Sequence, residues 1–142
     1  MHLVVVTPTG SKVDAQVTSV TVPGAVGELG ILPGHRALIT SLAIGQLSWT
    51  EGGKTHMLAT NEGFGEVHDD EVVIVTESAE SPDEIDPERA RKSLEQAEAQ
   101  LKVVDPFAEP FEYKQVQNKK ARALNRLAVA RHATPEALRV RS

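Results

Sequence analysis

The side chains that could do chemistry are few and dispersed in this chain. Its five histidines (His2, His35, His56, His68 and His132) never recur at an H-x-x-x-H spacing that would set two metal ligands on one helix face. There is no cysteine, which excludes a thiol nucleophile, a disulfide framework and any thiolate metal site. Paired acids occur at Asp69-Asp70-Glu71 and Asp83-Glu84, both among turn and linker residues, where solvated loop acids are the plain reading. Gly63-Phe64-Gly65 lacks the strand-to-helix context of a phosphate-binding loop. No catalytic constellation and no metal site are expected.

Three patterns suit binding instead. Residues 24–35, Gly-Ala-Val-Gly-Glu-Leu-Gly-Ile-Leu-Pro-Gly-His, alternate glycine with single apolar residues. They read either as a glycine-rich turn region joining strands or as an exposed docking loop with Glu28 and His35 as its polar points. Ile85-Asp86-Pro87-Glu88-Arg89-Ala90 places an acid and a base around one helix start. Taken alone, that is a capped helix with a surface arginine. Lys119, Arg122 and Arg126 are spaced by 3 and 4 and so share a helix face. If the two helices pair antiparallel, Arg122 and Arg126 return toward the Asp86–Arg89 end. A helix N-terminus with guanidiniums beside it forms an anion site; a solvated basic face is the alternative.

The elements that must position these residues fall into two modules. Residues 1–85 carry three basic and twelve acidic side chains, a net −9, whereas residues 86–142 carry twelve and eight, a net +4. The overall charge of −5 argues against a dedicated nucleic-acid binder. Hydrophobic residues make up 40% but aromatics only 4%, so aliphatic side chains must build the core. No stretch approaches the ~18 apolar residues of a membrane span. The opening residues lack a basic region and a long apolar run, and read as a first strand rather than a signal peptide.

Up to about Ser78, short β-type runs alternate with turn formers. The runs are residues 3–7, 13–16, 17–22, 37–41, 46–50, 56–60, 64–68 and 72–77. Glu51-Gly52-Gly53, Asn61-Glu62-Gly63 and Asp69-Asp70 connect them. The change of phase at residue 17 predicts a bulge or a bend between sheets. This spacing, without crossover helices, predicts an antiparallel sandwich or barrel. Ser81-Pro82-Asp83-Glu84 reads as a linker. Asp86 before Pro87 starts a helix, with Ala90, Leu94, Ala97, Leu101 and Val104 on one stripe. Arg91/Glu95 and Glu98/Lys102 are its i,i+4 pairs. Asp105-Pro106 breaks it, and Pro110 keeps the connector irregular. A second helix is predicted from about Glu112 to His132. Val116, Ala123, Leu127 and Ala130 mark its apolar side, widened by Leu124 and Ala128. The domains expected are residues 1–84, a β-sandwich, and residues 85–142, an antiparallel two-helix hairpin. The hairpin core is thin and should undock readily.

In this order the residues resemble the epsilon subunit of bacterial F-type ATP synthase. The resemblance spans nearly the whole chain. It is most specific at Gly27-Glu28-Leu29-Gly30-Ile31-Leu32-Pro33-Gly34-His35. It also covers Val5-Val6-Thr7-Pro8, Gly63-Phe64, Glu66-Val67, Ala79-Glu80 and Ile85-Asp86-x-x-Arg89-Ala90. It implies a non-catalytic rotor-stalk subunit on the cytoplasmic face of the bacterial inner membrane, attached peripherally through the complex. The sandwich would bind the gamma subunit and the ring of c subunits, with Glu28, Gly30 and His35 facing the ring. The hairpin would fold down or extend along gamma into the alpha/beta catalytic head, where Lys119, Arg122 and Arg126 would make contact and ATP hydrolysis would be inhibited. No cofactor is required. Regulatory ATP would be held by Glu80, Asp86, Arg89, Arg122 and Arg126. The chain departs from the family pattern at Gln96, where an arginine is usual, and at Ala37, often proline. Its connector is rich in proline and phenylalanine, and it continues past His132, where Thr134-Pro135 can open a short extra turn. The competing expectations are a free-standing ATP sensor and an adaptor with a basic tail.

Overall fold

The computed structural model describes residues 1–134. The extra turn suggested at Thr134-Pro135 involves residues 135–142, which lie outside the described residues. The chain divides into two compact units, Met1–Glu80 and Ser81–Ser142.

The first unit is built of ten strands: β1 (His2–Thr7), β2 (Gly10–Gln16), β3 (Ser19–Gly24), β4 (Gly27–Ile31), β5 (Leu38–Leu42), β6 (Gly45–Glu51), β7 (Lys54–Thr60), β8 (Gly63–His68), β9 (Glu71–Thr76) and β10 (Ala79–Glu80). Their order is β10-β7-β6-β3-β5-β8-β9-β1-β2, with β4 beside β3. The sheet wraps into a sandwich. Leu3, Val5, Val72 and Ile74 from one side and Val20, Val22, Leu47 and Ile31 from the other fill its interior, each at most 1% exposed. Each such side chain contributes roughly 1.5–3 kcal/mol by leaving water. The single tryptophan, Trp49, is buried and stacks on its cross-strand partner His56, with ring centroids 5.5 Å apart.

The phase change at residue 17 is the step between layers. Val17 N–H donates to Met1 O at 2.7 Å, on the β1 side, and Thr18 N–H donates to Thr50 O at 2.9 Å, on the β6 side. A separate register shift falls between Val5 and Val6 in the β1–β2 ladder. The ladders are antiparallel except β1–β9, which is parallel. The intervening strands themselves serve as the long crossover a parallel pair requires, so no helix is needed. His2 binds both neighbours of β1: Nε2 lies 2.5 Å from Asp14 on β2 and Nδ1 lies 3.1 Å from Glu71 on β9. These hydrogen bonds, the one to Asp14 first, raise its pKa above 6.5.

Two local features of this unit differ from the sequence reading. Residues 24–35 are not simply a turn region: β3 and β4 form a hairpin around Ala25-Val26, and only residues 32–37 are loop. Glycines at 24, 27 and 30 hid the strand alternation. Gly24 is required there, because a Cβ would stand 2.6 Å from Gly27 O. Ala79-Glu80 is a short strand on β7.

In the second unit, residues 82–84, within the stretch read as a linker, form a 3-10 turn. α1 (Pro87–Leu101) begins where the sequence places it. Asp86 caps it, accepting from Glu88 N–H at 3.0 Å and Arg89 N–H at 3.3 Å. The helix ends before Val104, the last residue of the predicted stripe. α2 (Pro110–Ala130) starts two residues earlier than expected and stops short of His132. Pro110 belongs to its first turn, where a missing N–H costs nothing. α1 and α2 pack on each other. Ala90 and Ala97 are buried on α1, and Val116, Ala123 and Ala130 on α2, each series repeating every seven residues. Leu124 does not widen the buried side; it is exposed, and Val129 is buried instead. Arg91 pairs with Glu88, not with Glu95.

Candidate functional site

On β1 and β9, apolar residues face both sides of the sheet. Leu3 and Val5 point inward, and so do Val72 and Ile74. Their alternates, Val4 and Val6 on β1 and Val73 and Val75 on β9, must face outward. The register sets Val4 beside Val73 and Val6 beside Val75. It continues the row to Phe64 on β8, opposite Val75, and to Ile39 on β5, opposite Glu66. Phe64 is 51% and Ile39 73% exposed. The result is an apolar outer patch on β1, β9 and β8, with Ile39 on β5 beyond the intervening Glu66. At its edge lies an open groove of about 300 Å³ formed by Val6, Thr7, Pro8, Gly63, Phe64 and Val75, with Glu62 and Glu77 beside it. A one-sided sheet alternates apolar with polar residues. The unbroken runs Leu3-Val4-Val5-Val6 and Val72-Val73-Ile74-Val75 were the sequence signal for this surface, and reading them only as strands missed it.

The second surface is the β3–β4 hairpin with the loop that follows it. Glu28 and Gly30 are exposed on β4, while Leu29 is half-buried and Ile31 buried. Among the described residues β4 pairs only with β3. His35 N–H donates to Leu32 O at 3.1 Å, closing a turn with Pro33 second and Gly34, at φ +85°, third. That is the pattern of a type II turn. His35 is half-buried, with Nδ1 2.8 Å from Arg36 O, while Leu32 is 63% exposed. Glu28 and Gly30 thus lie on β4 and His35 in the loop after it.

The basic residues lie in the helical unit. Two contacts fix its antiparallel register. Lys119 Nζ donates to Gln96 Oε1 at 3.3 Å, and Thr134 N–H donates to Asp83 Oδ1 at 2.8 Å. Between these anchors Arg126 stands level with Arg89, and Arg122 lies about one turn nearer the connector. The Asp86 carboxylate is engaged by two N–H groups of α1, those of Glu88 and Arg89. Glu80 ends β10 in the first unit. At the connector, a hydrogen bond from Glu112 raises the pKa of Glu109, with the charges of Glu112 and Asp105 adding to it. Among the described residues no cluster of metal-ligating side chains occurs.

The chain matches family models along most of its length. Residues 1–82 match the beta-sandwich domain of the ATP synthase delta/epsilon chain, and residues 83–131 match its long alpha-helix domain. It is 44% identical over 129 residues to the ATP synthase epsilon chain of Geobacter metallireducens, covering 91% of this chain and 92% of that one. It is 42% identical over 130 residues to that of Trichlorobacter lovleyi, covering 92% and 93%. Among solved structures, a chain in the Euglena gracilis mitochondrial ATP synthase OSCP/F1/c-ring complex superposes with a TM-score of 0.77 at 29% identity, over 92% of this chain and 80% of that one. A central stalk/c-ring structure of the Tetrahymena thermophila enzyme shares the fold, with a TM-score of 0.61 at 15% identity, over 89% and 96%. With both its sandwich and its helical hairpin matched, the chain belongs to the delta/epsilon family of ATP synthase subunits, as an epsilon-type, structural rather than catalytic subunit of the F-type enzyme.

Proposed function

We propose that this chain is a rotor subunit whose sandwich docks onto the gamma subunit and the c ring while its hairpin regulates ATP hydrolysis. The observation that carries the reading is the apolar outer patch of Val4, Val6, Val73, Val75 and Phe64, with Ile39 on its far side across Glu66. An apolar patch of this kind, with Phe64 and Ile39 exposed, favours a protein partner. Glu62, Glu66 and Glu77 near it suit a partner with basic residues, and we assign the patch to gamma. The exposed Glu28–His35 stretch is assigned to the c ring. The chain then sits peripherally on the cytoplasmic face of the bacterial inner membrane, held by the complex. No helix among the described residues is long and apolar enough to cross a membrane.

The hairpin supports the regulatory half. Residues 113–132 hold Lys114, Lys119, Lys120, Arg122, Arg126 and Arg131 and no acid. At 1.5 Å per residue, α2 spans ~30 Å, enough to extend from a stalk into the alpha/beta head. Its buried residues are only two valines and two alanines, so an acidic surface can compete for it. Regulatory ATP is the finer part of the proposal. Arg89, Arg122 and Arg126 would take phosphate, with Asp86 at the family's position. Lys119 bonded to Gln96, where the family has arginine, leaves this end with one guanidinium fewer.

Gamma binding by Phe64→Glu and Ile39→Glu tests the assignment. Each replaces an exposed apolar contact by a charge that the interface must desolvate. Affinity is expected to fall at least about tenfold. Wild-type affinity in both variants, with the sandwich folded, would remove the patch as the docking face.

A further inference from the structure

Asp69 and Asp70 form the turn between β8 and β9, and both have positive φ, 48° and 63°. Glycine or asparagine suits such positions better. Asp70 is also half-exposed, so burial does not explain it. Its contacts do. Oδ1 accepts from Gly34 N–H at 3.2 Å, and its other carboxylate oxygen lies 3.7 Å from the Met1 amino group. Its backbone oxygen accepts from His2 N–H at 3.0 Å. Gly34 is the φ +85° residue of the turn that presents Leu32 and His35. Within that turn the bonds from His35 N–H to Leu32 O and between His35 Nδ1 and Arg36 O are local. Asp70 is therefore the side chain that ties the loop to a strand turn distant in sequence.

We propose that Asp70 is a positioning residue for docking: its carboxylate holds Gly34 N–H and keeps residues 32–35 in the shape that meets the partner. This rests on the assignment of the Glu28–His35 stretch to the ring. Holding the loop before encounter spares the cost of ordering it on binding. The backbone strain at Asp70 is retained because an acceptor is needed there, and glycine offers none.

Three full-length variants separate this role from a structural one. Asp70→Ala removes the acceptor. Asp70→Gly also removes it, but eases the turn. Asp70→Asn keeps an oxygen acceptor and tolerates the left-handed backbone. Two quantities are read: the Gly34 amide by NMR, through its shift and hydrogen exchange, and affinity for ATP synthase stripped of this subunit. Alanine and glycine are expected to speed Gly34 exchange and weaken binding about three- to tenfold, the scale of one lost hydrogen bond. Asparagine is expected to restore both, and glycine to weaken binding without loss of sandwich stability. Unchanged Gly34 exchange in Asp70→Ala overturns the proposal. So does equal weakening by asparagine and alanine, which would assign the effect to charge. Leu32→Ser and His35→Ala report on the docking assignment itself: if neither changes affinity, the loop is not the docking element and the proposal falls with it.

Discussion

At the residue scale, single side chains set both stability and site shape. His2 is the clearest titrating case. Its folded pKa is raised, chiefly by the Asp14 hydrogen bond and then by Glu71. Its stabilisation is therefore complete below the unfolded value of about 6.5 and is lost as pH rises through the folded value. Urea unfolding followed by Trp49 fluorescence should show a sandwich more stable at pH 6 than at pH 8. His2→Gln should flatten that difference, and an equal pH dependence in the variant would refute the linkage. Gly63 makes a steric prediction. A Cβ there would collide with Val75 O and the Thr76 backbone, so Gly63→Ala should cost about 1–3 kcal/mol in the same assay. Asp86 was legible in the sequence because capping is local chemistry: an acid, then proline, then the helix. The Asp70–Gly34 contact was not, because it joins residues 36 apart through a fold that single-residue spacing does not encode.

At the scale of elements, one carboxylate of the hairpin has an observed role as a cap and a proposed one toward nucleotide. Asp86→Ala should lower helix stability by about 1 kcal/mol through the lost cap. Asp86→Asn keeps a capping oxygen and removes the charge. Circular dichroism on thermal melting reads the cap, and calorimetry with MgATP reads binding. Asparagine should melt like the parent; if it also binds MgATP like the parent, the charge of Asp86 has no part in the nucleotide site. The heptad-spaced alanines and the antiparallel pairing were readable from periodicity and connector length. Leu124 was misplaced because the apolar side of α2 is broad, and only packing decides which leucine is covered. The β3–β4 hairpin was obscured for the opposite reason: glycine carries no hydropathy signal on either face. The outer patch was written plainly in Val4-Val5-Val6 and Val72-Val73-Ile74-Val75, but recognising it required knowing that these strands lie side by side.

At the scale of the whole molecule, the division after Glu80 separates an acidic sandwich from a basic hairpin, and the proposal gives each its own partner. Deleting residues 107–142 should raise ATP hydrolysis by the assembled head. Neutral substitutions at Lys119, Arg122 and Arg126 should do so in part, and inhibition by the intact chain should weaken as salt screens the contact. Unchanged hydrolysis in deletion complexes of normal stoichiometry would show that the basic face is only solvated. The central claim is that docking resides in the sandwich. It is tested most directly by the affinity of gamma for a chain ending at Glu80 compared with the full chain, with Trp49 fluorescence confirming that the sandwich is folded. The account predicts affinities within about threefold of each other, less than ~1 kcal/mol. Loss of gamma binding by the folded sandwich would contradict it and place the docking surface in the helices.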